Sequence, residues 1–215
     1  KISITHLTPA TQQLLLGSDS QKHELTNLRL VVYGGDRLTY ADVAAMKMSA
    51  PQATCINSYG TTETPQIISF CEVSEDLEPL NRSVPLGIGR PEAQALIIRN
   101  SDQLAAVGEI GEIVIRSPWL ANGYLNEEQI SVHKFISNPV TNNPKDRCYS
   151  TGDIGRYLSN GQIEYLGRAD NQLKIRGFRI EPSEIETQLC QLPLIREAVI
   201  ATVEYPETGE QLVAY

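Results

Sequence analysis

Long hydrophobic runs are missing from this chain. No stretch approaches the ~18 to 20 apolar residues that span a bilayer, and the first residues show no signal-peptide pattern. A soluble, cytoplasmic protein is expected, with no membrane partner. Paired cysteines are missing as well: Cys55, Cys71, Cys148 and Cys190 lie far apart, with no C-x-x-C among them. That argues against a zinc site or a disulfide framework and for a reducing compartment. Basic charge is in short supply, 18 Lys and Arg against 26 Asp and Glu for a formal net charge of −8. A general grip on nucleic acid is therefore not expected, although an acidic surface can still hold one nucleotide in a local pocket. The three histidines, His6, His23 and His133, are dispersed, and no Ser-His-Asp or Cys-His arrangement assembles from local spacing. Neither a dinucleotide fingerprint nor a Walker-type loop is present.

What is present reads as a mixed α/β chain. With 215 residues, 41% of them apolar, it can bury one good core or one and a half smaller ones. Lys1 to Ile4 reads as a strand. Thr8-Pro9 opens a helix that stops at Gly17. Leu28 to Tyr33 is a near-continuous apolar run, as in a strand buried on both faces, and it breaks at Gly34-Gly35-Asp36. Thr39 caps a helix to about Met48, with Val43 and Met46 on one side and Pro51 after its end. Ala53 to Ile56 is a second strand, running into the loop Asn57-Ser58-Tyr59-Gly60-Thr61-Thr62-Glu63, and Gln66 to Phe70 is a third. In such sheets ligands sit beyond the carboxyl ends of the strands.

From about Val84 to Gly167, Gly and Pro recur every few residues between short strands (Gln94 to Arg99, Gly111 to Arg116, Arg156 to Ser159), a pattern of small barrels or sandwiches. Glu127 to Phe135 reads as a short helix and Asn138 to Asp146 as a polar loop. The last part switches to α+β. Pro182 opens a helix with acidic Glu184 and Glu186 and an apolar stripe of Ile185, Leu189 and Leu192, ended by Pro193. Ala198 to Val203 and Leu212 to Tyr215 follow as strands. Both termini read as cut from a longer fold.

Three constellations carry chemistry. Asn160-Gly161 predicts a two-residue type I′ turn, and opposed residues then have numbers summing to 321, so Asp153 faces Arg168. That is either a cross-strand ion pair, worth about 0.2 to 1 kcal/mol if exposed, or a clamp whose carboxylate accepts from two ribose hydroxyls. The loop Tyr59 to Glu63 is either a polar turn or a set of parts that could stack a base, approach a phosphate and hold Mg²⁺. The run Lys174, Arg176 and Arg179 is either a solvated strand face or, with its change of phase at Gly177, a bend where a ligand or another backbone comes close.

Four of these segments, NSYGTTE (57–63), GEIVIRSPWLANGYLN (111–126), YSTGD (149–153) and GRADNQLKIRGFRIEPSEIE (167–186), resemble in order and spacing the adenylate-forming (ANL) superfamily. The nearer likeness is to the adenylation domains of nonribosomal peptide synthetases. The resemblance implies a fold made of the end of a large α/β lobe, a small β-barrel and the first half of an α+β C-terminal lobe. The expected divisions are 1–83, 84–169, which carries the ribose site, and 170–215 after a hinge. It implies a two-step reaction. An amino or related carboxylic acid is activated by Mg-ATP as an acyl-adenylate, and the acyl group then passes to the phosphopantetheine thiol of a peptidyl carrier protein beside neighbouring synthetase domains.

Carried over residue by residue, Tyr59 stacks on adenine with Asn57 and the Gly34-Gly35-Asp36 turn along its edge, and Gly60 lets phosphate approach. Thr62 touches phosphate, Glu63 helps hold Mg²⁺, and Asp153 binds the ribose hydroxyls with Arg168 close by. Asp170 matches the hinge and Gly177 the turn brought near the thiol. His6, Val32, Gly34, Ser58, Gln66 and Ile67 line the substrate pocket.

The chain departs from the family where Thr61 replaces a usual Pro and Ser150 a usual Arg or Lys. The Ser/Thr/Gly-rich phosphate loop, the acid that meets the substrate amine and the C-terminal lysine fall outside it, so the fragment is expected to be inactive alone. Two alternatives stay open: an acyl- or aryl-CoA ligase of the same superfamily, and a non-catalytic platform that binds nucleotide or a partner domain.

Overall fold

The computed structural model describes residues 2–17, 25–74, 79–100, 102–141, 143–175, 177–205 and 209–215. Lys1 of the expected first strand, His23, Asn142 of the polar loop and Arg176 of the basic run lie outside the described residues. Two compact units make up the chain, Lys1–Ala169 and Asp170–Tyr215.

The first unit begins with β1 (Ile4–Leu7), α1 (Pro9–Leu16), β2 (Leu30–Tyr33), α2 (Tyr40–Ser49), β3 (Thr54–Tyr59), β4 (Ser69–Glu72) and β5 (Ile88–Gly89). They form a five-stranded sheet in the order β1-β2-β3-β4-β5. β1, β2 and β3 are parallel, and β4 and β5 join antiparallel. The helices start where their caps dictate. Thr8 accepts from the Thr11 N–H ahead of Pro9, and Thr39 and Asp42 form a reciprocal capping box, satisfying N–H groups that a helix start would otherwise leave unpaired. Val31, Tyr33 and Cys55 from the sheet share one core with Val43 and Met46 from α2. Each such valine or methionine contributes about 1.5 to 3 kcal/mol on full burial. Gln12 locks the layer by accepting from the Tyr33 hydroxyl and donating to Asp42 O at 2.8 Å.

Strand positions differ from the sequence reading at several places. β2 begins at Leu30 and not Leu28, and the last two strands span Ile200–Tyr205 and Gly209–Ala214, not Ala198 to Val203 and Leu212 to Tyr215. β1 begins at Ile4, because the parallel pairing that sets Ile4 opposite Leu30 selects residues 4–7. β3 continues past Ile56 through Asn57, Ser58 and Tyr59, so the first three residues of the expected loop are strand. The next strand starts at Ser69 and not Gln66, because residues 65–66 first fold back against Gly60, where a Cβ would sit 2.4 Å from Gln66 O.

The same unit continues through β6 (Gln94–Arg99), β7 (Gln103–Leu104), β8 (Ile110–Arg116), α3 (Glu128–Lys134), β9 (Phe135–Ser137), β10 (Arg147–Tyr157) and β11 (Ile163–Arg168). This antiparallel sheet runs β11-β10-β8-β6-β7, with β9 also on β10. Its core joins Ile97, Ile113, Ile115, Tyr149 and Ile163 to Tyr59 from the first sheet and to Ile68 just before β4. β10 is far longer than the expected Arg156 to Ser159. Its polar Ser-Thr-Gly-Asp centre hid the strand.

The β10–β11 turn is a correction. Asn160 is not among the residues with positive φ, whereas Gly161 has φ 81°, so a type I′ turn, which needs both, is ruled out. Gly161 N donates to Leu158 O and Leu158 N to Gln162 O, which makes a three-residue loop with a glycine in the left-handed region. Near the loop the pairs are Tyr157 with Ile163 and Gly155 with Tyr165. A shift between Ile154 and Gly155 then restores Ile154 with Gly167 and Asp153 with Arg168. The expected pairing holds, by way of a bulge and not of the expected turn.

The second unit holds β12 (Leu173–Ile175), β13 (Phe178–Ile180), α4 (Pro182–Cys190), β14 (Ile200–Tyr205) and β15 (Gly209–Ala214). β12 pairs with β13 and β14 with β15, both antiparallel, and Gly177 (φ 82°) sits in the tight link of the first hairpin. α4 has Pro182 in its first turn and Glu184 near its positive end. It stops at Cys190, so Leu192, 52% exposed, lies beyond the helix and Pro193 does not end it. Glu186 accepts from Ile200 N at 2.9 Å, tying α4 to β14.

Candidate active site

The expected site residues of the first unit cluster at the carboxyl ends of β2 and β3 and at the middle of β10. Parallel register sets His6 level with Val32 and Ile56. One face of the sheet then carries His6, Val32, Gly34 and Ser58, since side chains alternate. A Cβ on Gly34 would lie 3.0 Å from both His6 Nε2 and Ser58 Oγ, so these three meet at one point. Ser58 Oγ donates to Tyr33 O at 2.6 Å. Gln66 is exposed and Ile67 half-buried on the segment that returns past Gly60. Asn57 spends its amide nitrogen on Val84 O and Pro85 O, at 3.1 and 2.9 Å. Asp36 accepts from its neighbour's N–H at 2.7 Å, and Gly35 beside it is exposed. Thr62 is exposed within a turn closed by Thr64 N to Thr61 O.

Asp153 is the electrostatic centre. It is fully buried; Arg168 Nη1 donates to its Oδ1 at 2.8 Å and the Tyr59 hydroxyl to its Oδ2 at 2.7 Å. Arg168 Nη2 reaches Thr151 O at 3.1 Å. Burial, and then the adjacent Asp153 carboxylate, push the Tyr59 phenol well above its ordinary range, so it stays a proton donor. Tyr165 is likewise raised, first by burial and then by Asp153, and it also feels Arg168, Asp36 and Arg37. The Gly34-Gly35-Asp36 turn and the Asp153–Arg168 pair therefore belong to one electrostatic neighbourhood. With side-chain exposures of 0% and 8%, this is not the weak surface pair that the sequence left open. An ionised carboxylate offers about four acceptor positions in all.

A second network surrounds Glu63, which is 6% exposed. The Tyr124 hydroxyl donates to its Oε1 at 2.5 Å and lies 2.9 Å from the Tyr149 hydroxyl. Phe135 packs on both rings. Arg147 covers Phe135 at 5.4 Å and holds Ala121 O and Asn122 O, while Ala121 N donates to Glu63 O. Among the described residues no group of three or more His, Cys, Asp or Glu could hold a metal ion. A single buried carboxylate suits Mg²⁺, which is usually held by one or two carboxylates plus substrate phosphates.

Sequence reading gave no role to Tyr124, Tyr165, Thr151 or Glu112. Glu112 did leave a signal, as the one acidic residue inside the apolar strand IGEIVIR. Asp170 and Gly177 belong to the second unit, where Asp170 Oδ1 accepts from Gln172 N at 3.2 Å.

Comparison with known proteins gives the family. A family model described as AMP-binding enzyme matches residues 1–125. The large subunit of L-2-aminoadipate reductase from Penicillium chrysogenum is 36% identical over 99% of the chain, which spans 17% of that protein. Gramicidin S synthase 2 from Brevibacillus brevis is 36% identical over the whole chain, which spans 5% of it. Among solved structures, holo-PA1221, an NRPS protein containing adenylation and PCP domains bound to a vinylsulfonamide inhibitor, superposes with a TM-score of 0.86 at 27% identity. The match covers 99% of this chain and 36% of that one. No helix among the described residues is long and apolar enough to cross a membrane. The chain belongs to the AMP-binding enzymes of the adenylate-forming superfamily, and within them it resembles the adenylation domains of nonribosomal peptide synthetases.

Proposed function

We propose that this chain supplies the nucleotide-handling part of an adenylation domain. A carboxylate oxygen of an amino or related acid attacks the α-phosphorus of ATP, and the bond to pyrophosphate breaks. The acyl group of the resulting adenylate is then transferred to a carrier protein's phosphopantetheine thiol, releasing AMP. The observation that carries this reading is Asp153, a buried carboxylate flanked by a guanidinium and a phenol at the strand ends. In this reading it accepts from the ribose hydroxyls. Because Asp153 is fully buried, nucleotide entry has to uncover it. Exchanging the Tyr59 bond for ribose hydroxyls would do so and leave the Tyr59 ring to stack on adenine, with Asn57 and the Gly34-Gly35-Asp36 turn at its edge.

Gly60 and Thr62 lie on the phosphate side, and Glu63, oriented by Tyr124, contributes one ligand to Mg²⁺. That ion would supply charge neutralisation at the phosphates. His6, Val32, Gly34, Ser58, Gln66 and Ile67 form part of the acid's pocket, with Gly34 and Ser58 leaving room. Positioning and electrostatics carry the catalysis. Asp170 acts as the hinge between the two half-reactions, and Gly177 turns toward the thiol. Likeness to PA1221, an NRPS protein that joins adenylation and PCP domains, supports a carrier protein and neighbouring synthetase domains as partners. Similar identity to aminoadipate reductases favours a second reading, in which the same activation serves a reductase. The chain by itself lacks the remaining phosphate and amine contacts and is inactive in this reading.

The test is ATP–pyrophosphate exchange by the intact polypeptide across amino, hydroxy, keto and aryl acids. Asp153→Ala should lower exchange on the order of 100-fold; unchanged exchange would overturn the ribose assignment.

A further inference from the structure

We infer that Glu112 is a positioning residue for the nucleotide site, holding the Thr151–Asp153 bulge in the shape that aims Asp153; this rests on the reading of Asp153 as the ribose carboxylate. The pairing of β10 with β8 breaks at this point. Ser150 lies opposite Val114 and Ile154 opposite Glu112, so Thr151, Gly152 and Asp153 stand against Ile113 alone. A bulge of that size leaves N–H groups without ladder partners, and buried ones need other acceptors.

Two side chains supply them. Thr151 Oγ1 donates to Ile113 O at 2.6 Å and accepts from Asp153 N at 2.9 Å. Glu112 Oε1 accepts from Gly152 N at 2.8 Å and from Ser150 Oγ at 2.5 Å. Gly152 has φ 78°, a region that L side chains rarely adopt. Glu112 is thus bonded to the residue whose unusual backbone sets the direction of Asp153. Bonds to an ionised acceptor are about twice as strong as neutral ones, which gives a reason for a carboxylate on a strand whose next three residues, Ile113, Val114 and Ile115, are all buried. Glu112 acts through Gly152.

The experiment compares AMP with 2′,3′-dideoxy-AMP by calorimetric titration of the intact polypeptide. Two hydroxyls on a charged acceptor should make wild type bind AMP about 30-fold tighter or more. Glu112→Ala should bring that ratio to within about threefold, while Glu112→Gln, whose amide oxygen still accepts both bonds, retains most of it. A ratio in Glu112→Ala equal to wild type, with both ligands weakened alike, overturns the proposal and leaves Glu112 a fold-stabilising residue. If wild type and Asp153→Ala show the same ratio, the ribose reading itself fails. Should Glu112→Ala not fold, Glu112→Asp keeps the charge but withdraws the oxygen by one methylene. An intermediate ratio supports the proposal and an unchanged one overturns it.

Discussion

Arg168 and Asp153 face each other across β10 and β11 with Nη1 2.8 Å from Oδ1, and neither is open to solvent. The same guanidinium holds Thr151 O through Nη2, so its fork spans both ends of the bulge. Removing one partner of a buried pair leaves the other charge uncompensated. Arg168→Ala should therefore cost about 3 to 5 kcal/mol of stability, measured by denaturant unfolding of the intact polypeptide. Arg168→Lys should recover less than half of that loss, since a single ammonium cannot make both contacts. Full recovery would show that charge alone matters.

Tyr124 orients Glu63 from a segment about sixty residues away. Outer-shell partners of metal-binding carboxylates typically control metal affinity by 10- to 100-fold. Tyr124→Phe should raise the Mg²⁺ concentration for half-maximal pyrophosphate exchange about 10-fold, with the affinity for the acid substrate unchanged. A maximal rate that falls with no change in Mg²⁺ dependence would remove Glu63 from the metal.

Asp170 begins the second compact unit. If the units rotate about it between the two half-reactions, Asp170→Pro should spare exchange within about twofold and slow thioester loading of the carrier about 10-fold. Equal loss of both activities would count against a hinge at this residue.

Burial alone would raise the Asp146 carboxyl. Hydrogen bonds from Asn138 and Arg116, the Arg116 charge and Thr141 outweigh it and hold the group below its ordinary value. A depressed folded value means that its contribution is fully present above the unfolded value of about 3.9 and is lost as pH falls through the lower folded one. Wild type should accordingly lose stability relative to Asp146→Asn between pH 5 and acid, followed by thermal unfolding at stepped pH. Parallel curves would show that these bonds do not depend on the charge.

Much of the fold was legible where local chemistry fixes it. Thr8 and Thr39 mark helix starts by capping, Pro9 and Pro182 by sitting in the first turn, and the Gly and Pro punctuation located β6 to the residue. The parts that were not legible depend on distant partners. The strand read from sequence covered only Arg156 to Ser159, yet Ser150 to Asp153 belong to it as well, because Ile113 O and the Glu112 carboxylate take up their polar groups. The pairing of Asp153 with Arg168 was foreseen from a turn that does not form, and one extra residue at the loop is offset by the shift at Ile154 and Gly155. Tyr124 and Tyr165 gave no sign of their roles, since a tyrosine near an apolar run is ordinarily core.

The shift at Ile154 and Gly155 also insulates the site from the hairpin tip. Register next to the loop is held separately, by Ile163 bridging Gly87 and by Leu86 N donating to Ile163 O, while Ser159, Asn160 and Gly161 are exposed. Changes in the length of that tip need not propagate to Asp153, whereas a single residue added or lost between Thr151 and Arg156 would misalign it. The hairpin tip is thus a port for insertions, a place where a peptide can be grafted, on the same two strands that carry the buried Asp153–Arg168 pair.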